Sequence, residues 1–357
     1  MDEIEVKWML ERWPKLHTVT AWGIPEILLH IGHFLSKNDI SACIRVSRTF
    51  HAVFIAVLWE DVILEQDTVL LNNLSAVQSH SRHIRSITLR TNIPSGFYIA
   101  GYENLCTLTL DPLYVQKSSD PSTLANQQTQ LVQLNRTVQH LTLKHHFSPL
   151  PKAFWDAVGT WETPQSLCMS EIKVAPEAAD SFWRACSLFQ DLEIDQVDVQ
   201  LSTKQSGLGF SRIRSLALED GRPSNVFFNL ESQMELLRRA PGLQRLDWRV
   251  LWSNLELEGF QQLLDRKDVM FPELRSLRVY GAFFTDEKIA SVLEHAPALT
   301  RFCGDSRRAG SLTLYRLKGH YLEALDTLSA LYKSGGPRDH VVLSTITGVC
   351  SDVHLGH

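Results

Sequence analysis

One short pattern recurs along most of this chain: L-x-x-L-x-L, with Ile, Val, Phe or Trp as substitutes. It restricts the chain to folds that repeat one small unit. Clear copies are Ile84-Ile87-Leu89, Leu105-Leu108-Leu110, Val138-Leu141-Leu143 and Phe189-Leu192-Ile194. Others are Ile213-Leu216-Leu218, Leu243-Leu246-Trp248 and Leu274-Leu277-Val279, with weaker ones at Leu167-Met169 and Leu299-Phe302. The middle apolar residue returns about every 27 residues. Alternation inside each copy predicts a half-buried strand.

Between the copies, helical stripes run over 227–240 and 287–296, and 177–189 and 260–269 read similarly. Prolines at 164, 241, 272 and 297 stand just ahead of the next strand, where a helix has to stop. Each unit is therefore strand, loop, helix, turn. A single unit has no closed core, but stacking neighbours builds one. The period lies in the leucine-rich-repeat range, so 84–357 is expected to be an α/β solenoid of about ten repeats. An ordinary parallel α/β domain is the competing reading.

The 357 residues include 44% hydrophobic side chains and a formal net charge of −5, which excludes a disordered or fibrous class. Such mild acidity gives no global pull toward nucleic acid or anionic lipid, so neither partner is expected. The six cysteines include no Cys-x-x-Cys pair, as suits a reduced compartment. The acidic start and the lack of a long apolar run point to a soluble protein, cytoplasmic or nuclear. Sequons at Asn73 and Asn135 carry no meaning in such a compartment.

Ahead of the repeats, three helical stripes are packed into 24–64. Ile27, Leu28, Ile31, Phe34 and Leu35 form the first, with Pro25 in its first turn. Asp39 is a suitable N-cap for the second, Ile40, Cys43, Ile44 and Ser47. Phe50, Val53, Phe54, Val57 and Leu58 form the third. A further stripe, Val6, Met9, Leu10 and Trp13, suggests a short helix in an N-terminal arm, 1–22.

Pro25-Glu26-Ile27-Leu28, Ile31, Leu35, Asp39-Ile40, Cys43, Val46-Ser47-Arg48, Phe50 and Leu58-Trp59 resemble the F-box motif. With the repeats, the chain is similar to the F-box/leucine-rich-repeat family. The resemblance implies an F-box-like unit at 23–62, a connector at 63–83 and the solenoid from 84. It also implies a non-catalytic substrate receptor of an SCF-type cullin–RING ubiquitin ligase. A Skp-type adaptor, and through it a cullin, would meet Pro25, Ile27, Leu28, Ile31, Leu35, Ile40, Val46 and Leu58. The repeats would hold an unknown protein substrate. The alternative is a leucine-rich-repeat scaffold that recruits no ligase.

Residues between the leucines point to the open face of such a sheet. The expected substrate surface is Asp191, Glu193, Asp195 and Glu219, then Arg245, Arg249, Arg278 and Tyr280. A basic segment of a partner is expected on the acidic rungs, and an acidic one on Arg245, Arg249 and Arg278.

Signatures of chemistry are missing. No G-x-x-x-x-G-K-S/T loop, G-x-S-x-G elbow or H-E-x-x-H helix occurs. His30 with His33, and His145 with His146, have no third ligand in sequence, and the acidic rung reads as surface rather than as paired catalytic carboxylates. No catalytic residue, metal or cofactor is expected.

Overall fold

The structure is a computed structural model that describes residues 25–65, 74–90, 101–112, 121–199, 208–219, 230–249, 271–284, 291–292 and 294–306. The expected arm helix, the helical stripe at 260–269 and the C-terminal stretch lie outside these residues. The chain divides into two compact units, Met1–Ser119 and Asp120–His357.

In the first unit, α1 (Pro25–Gly32), α2 (Lys37–Cys43) and α3 (Arg48–Glu60) match the three stripes. Ser36 caps α2, not Asp39: the Asp39 amide donates to Ser36 Oγ at 3.2 Å, and Ser36 Oγ donates to Asp39 Oδ2 at 2.7 Å. The carboxylate thus sits inside the first turn, where the helix dipole favours it. Ser47 caps α3 by accepting from the Phe50 amide at 3.2 Å.

These helices close around Leu28, Ile40, Cys43, Phe50 and Phe54. Phe50 and Phe54 meet edge to face at 5.4 Å. Gly32 lets α1 and α3 approach, because an added Cβ would stand 3.0 Å from both Phe54 Cδ1 and Val57 Cγ2.

The strand ladder starts earlier than expected. β1 (Asp61–Leu64) pairs in parallel with β2 (Ser86–Leu89), which pairs with β3 (Thr107–Leu110). The first rung thus occupies the end of the helical span and the start of the expected connector. Trp59-x-x-Val62-x-Leu64 is its apolar pattern, and Val62 and Leu64 are buried. Lys37 Nζ donates to Asp61 O at 2.6 Å, which ties α2 to this strand. Within the former connector lies α4 (Leu74–Ser79), followed by a 3-10 turn, Ser81–His83, and His80 stacks on Trp59 at 4.7 Å.

The second unit alternates strands and helices: α5 (Pro121–Leu134), β4 (His140–Leu150), α6 (Lys152–Val158), β5 (Ser166–Val174), α7 (Ala179–Cys186) and β6 (Asp191–Asp198). It continues through β7 (Ser215–Glu219), α8 (Leu230–Arg238), β8 (Arg245–Arg249), β9 (Ser276–Phe284) and β10 (Arg301–Ser306). All its strand pairs are parallel, and Leu141, Leu167, Leu192, Leu216, Leu246, Leu277 and Phe302 lie side by side across them. The weak copies at Leu167 and Leu299-Phe302 are thus full members, and the architecture is a leucine-rich-repeat-like α/β stack.

Its register rests on a repeated backbone device. Gln139 O accepts the amides of Gln165 and Ser166, at 2.8 and 3.0 Å. Gln165 O, Gln190 O, Arg214 O, Gln244 O and Arg275 O do the same for the next repeat. Buried aromatic rings fill the helix side: Trp155 stands edge to face on Phe182 at 4.7 Å, and Trp183 on Phe210 at 5.9 Å. Asn135 is buried and donates from Nδ2 to Leu131 O at 2.7 Å, so its sequon is closed to any glycan.

Replacing Gly32 with Val is expected to overpack the α1–α3 contact and cost about 1–3 kcal/mol. Thermal unfolding followed by circular dichroism checks this; an unchanged midpoint would remove the tight approach as a constraint.

Candidate functional site

Alternation along each strand sends the leucines inward and leaves the intervening side chains on one open face. The register sets them in a grid. Asp191 lies beside Ser215 and then Arg245; Asp195 lies beside Glu219 and then Arg249; Asp247 lies beside Arg278.

Asp191 and Glu193 are exposed, while Asp195 is half-buried and accepts from Ser170 Oγ at 2.6 Å. Among the described residues, none of these three carboxylates has a cation within ion-pair distance. Two carboxylate oxygens on this face, Asp195 Oδ1 and Asp247 Oδ1, are buried with no hydrogen-bond partner among the described residues. An oxygen in that condition is costly until a donor reaches it.

The arginines divide into two groups. Arg249 Nη1 donates to Glu219 Oε2 at 2.8 Å, and Arg278 lies 3.9 Å from Asp247. Both arginines therefore have a carboxylate neighbour on the face itself. Arg245 is exposed and, among the described residues, has no carboxylate within ion-pair distance. Tyr280 occupies the rung beside Arg249.

Sequence reasoning missed a second basic column. Arg214, Gln244, Arg275 and Thr300 stand one residue ahead of the strand positions already identified. With Asp191, Ser215, Arg245, Ser276 and Arg301 they line a cleft of about 590 Å³. The signal was present in the pattern, at the first x of each L-x-x-L-x-L.

Cys168 sits on the rung beside Glu193. Burial first, then the charge of Glu193 and a hydrogen bond to it, push its thiol up to about 12. It is therefore a protonated donor on the face and not a nucleophile. His146 is buried on β4, and His145 adopts a φ of 55°. Glu171 and Gln196, at φ 53° and 51°, repeat that left-handed kink on β5 and β6. Among the described residues, no group of His, Cys, Asp and Glu is arranged to hold a metal ion.

The residues expected to bind an adaptor fall into three sets. Leu28 and Ile40 are core residues that hold the helices together. Leu35, Val46 and Leu58 are half-buried against that core. Pro25, Ile27 and Ile31 are exposed. Leu29 and Phe34, 40% and 78% exposed, are outward apolar residues that were not assigned to the contact. Ile27, Ile31 and Phe34 share one side of α1 and its closing turn, and His30 meets Phe34 edge to face at 5.2 Å.

No protein-family model matches the chain, and no curated protein does. Among solved structures, the chain is similar to the protein in the crystal structure of a TLR13–ssRNA13 complex, at 14% identity and a TM-score of 0.40. The match covers 75% of this chain and 32% of that one, so the chain spans about a third of its length.

Because burial and Glu193 raise its thiol well above the ordinary range, Cys168 is protonated at pH 8. Alkylation of Cys168 followed by mass spectrometry is expected to run at least tenfold slower than for an unstructured cysteine peptide. Glu193→Gln should speed it, since one of the forces raising the thiol is removed. Labelling as fast as the peptide would contradict this assignment.

Proposed function

We propose that this chain is a protein-interaction scaffold whose open strand face captures a partner protein, with no catalytic step of its own. The observation that carries the reading is the uncompensated acidic rung Asp191-Glu193-Asp195, with the orphaned Asp195 Oδ1 beside it. A stack of repeats has no need of three neighbouring carboxylates on one strand. A Lys- or Arg-rich segment would relieve their repulsion.

A finer reading is favoured by the apolar side of α1. Ile27, Ile31 and Phe34 are exposed at 41%, 37% and 78% on a helix that packs through Leu28 and Gly32. Such a stripe is costly on an isolated surface and fits a helix-docking partner. In this reading the helices bind a Skp-type adaptor and the repeats present a substrate to a cullin–RING ubiquitin ligase, in the cytoplasm or nucleus. The contact would rest on Ile27, Ile31 and Phe34, with Pro25 at its edge.

Two measurements separate these readings. Replacing Asp191, Glu193 and Asp195 with Lys is expected to weaken a Lys/Arg-rich peptide at least tenfold, and wild-type binding should fall as salt rises from ~0.05 to ~0.2 M. Unchanged affinity would remove the acidic rung as the capture surface. The double variant Ile27→Asp with Ile31→Asp should stay folded and lose capture of a purified Skp-type adaptor. A folded wild-type chain that fails to bind the adaptor would sink the ligase reading and leave the scaffold.

A further inference from the structure

The cleft along β6–β10 carries four arginines, Arg214, Arg245, Arg275 and Arg301, one contributed by each of four successive repeats. They alternate between the residue just before the strand and the first residue of the strand, so the guanidinium groups form a staggered row. Strands in a sheet lie about 4.8 Å apart, so the row spans about 14 Å. Asp191 is the one carboxylate in the lining among the described residues, at the far end.

Arg214 is held by a carboxylate. Arg214 Nη1 donates to Gly242 O at 2.9 Å and to Glu273 Oε2 at 3.0 Å. A Cβ on Gly242 would collide with that guanidinium, so glycine there keeps Arg214 in place. Arg245 and Arg275 are exposed and, among the described residues, have no carboxylate within ion-pair distance. This row is separate from Arg249 and Arg278, whose charge is already met by Glu219 and Asp247.

We propose that this cleft binds a short acidic peptide segment, Asp- or Glu-rich, of a partner protein. This rests on the reading of the open strand face as a protein-capture surface. The span suits four or five residues of extended chain at about 3.3 Å each. Guanidinium groups pair with carboxylates in a fork geometry, and Ser215, Ser276, Thr300 and Gln244 offer hydrogen bonds to a peptide backbone. A nucleic-acid strand fits less well. Among the described residues the lining holds no aromatic ring on which a base could stack, and Asp191 would oppose a continuous polyanion.

The test is a fluorescence-anisotropy titration of the full chain with three probes. These are a Glu-rich peptide, the same peptide with Gln at each Glu, and a single-stranded oligonucleotide of equal charge. The Glu-rich peptide is expected to bind at least tenfold more tightly than either other probe, and more weakly as salt rises. Arg245→Gln with Arg275→Gln should weaken it about tenfold while leaving the circular dichroism spectrum and the Lys/Arg-rich peptide affinity unchanged. Arg249→Gln should have a much smaller effect. Equal binding of the Gln peptide, preference for the oligonucleotide, or unchanged affinity in the double variant would each overturn the proposal. Loss of Lys/Arg-rich peptide binding in the wild-type chain would instead count against the capture reading on which it rests.

Discussion

A single backbone carbonyl accepting two amides from the next repeat sets the register of this protein. Gln139, Gln165, Gln190, Arg214, Gln244 and Arg275 each do this, with N–O distances of 2.7 to 3.0 Å. Once that register is fixed, the middle leucines must stack, because strand side chains alternate with a period of two. The charged rows follow from the same constraint. Asp195, Glu219 and Arg249 become neighbours only because Leu192, Leu216 and Leu246 are neighbours. The open face is thus a by-product of the core, and its charge pattern is read across repeats and not along the chain.

That pattern is more ordered than the composition suggests. A net charge of −5 describes neither the acidic rung on β6 nor the arginine row that follows it. Further along the same strands, Glu219 pairs with Arg249 and Asp247 with Arg278. Exposed pairs of this kind add little to stability, typically below about 1 kcal/mol.

The strands were legible because most of those after β1 carry the full apolar pattern, and in the second unit the middle residues of the weaker copies, Leu167 and Phe302, still found their expected neighbours. β1 was hidden because Trp59, the first residue of its pattern, also ends the helical stripe of α3. Asp39 was mistaken for a cap because Ser36 and Asp39 both suit an N-terminus, and local chemistry alone does not choose between them. On α1, apolar residues on more than one side left periodicity unable to say which would be buried. Gly32 decided it, since only the side holding Leu28 and Gly32 permits close approach to Phe54. The arginine row escaped notice because Arg214 and Arg275 precede their strands, where alternation gives no rule for direction.

The doubly accepting carbonyl has one more consequence. It belongs to the very residues, Arg214, Gln244 and Arg275, whose side chains line the cleft. Their main-chain atoms hold neighbouring repeats together, and their side-chain atoms face outward. Architecture and recognition are therefore written in different atoms of the same amino acids. Arg214 is the exception, since its guanidinium also reaches Gly242 O and Glu273 in later repeats; at a position such as Arg275 the lettering can be changed without touching the joints of the stack, so binding preference can be rewritten there.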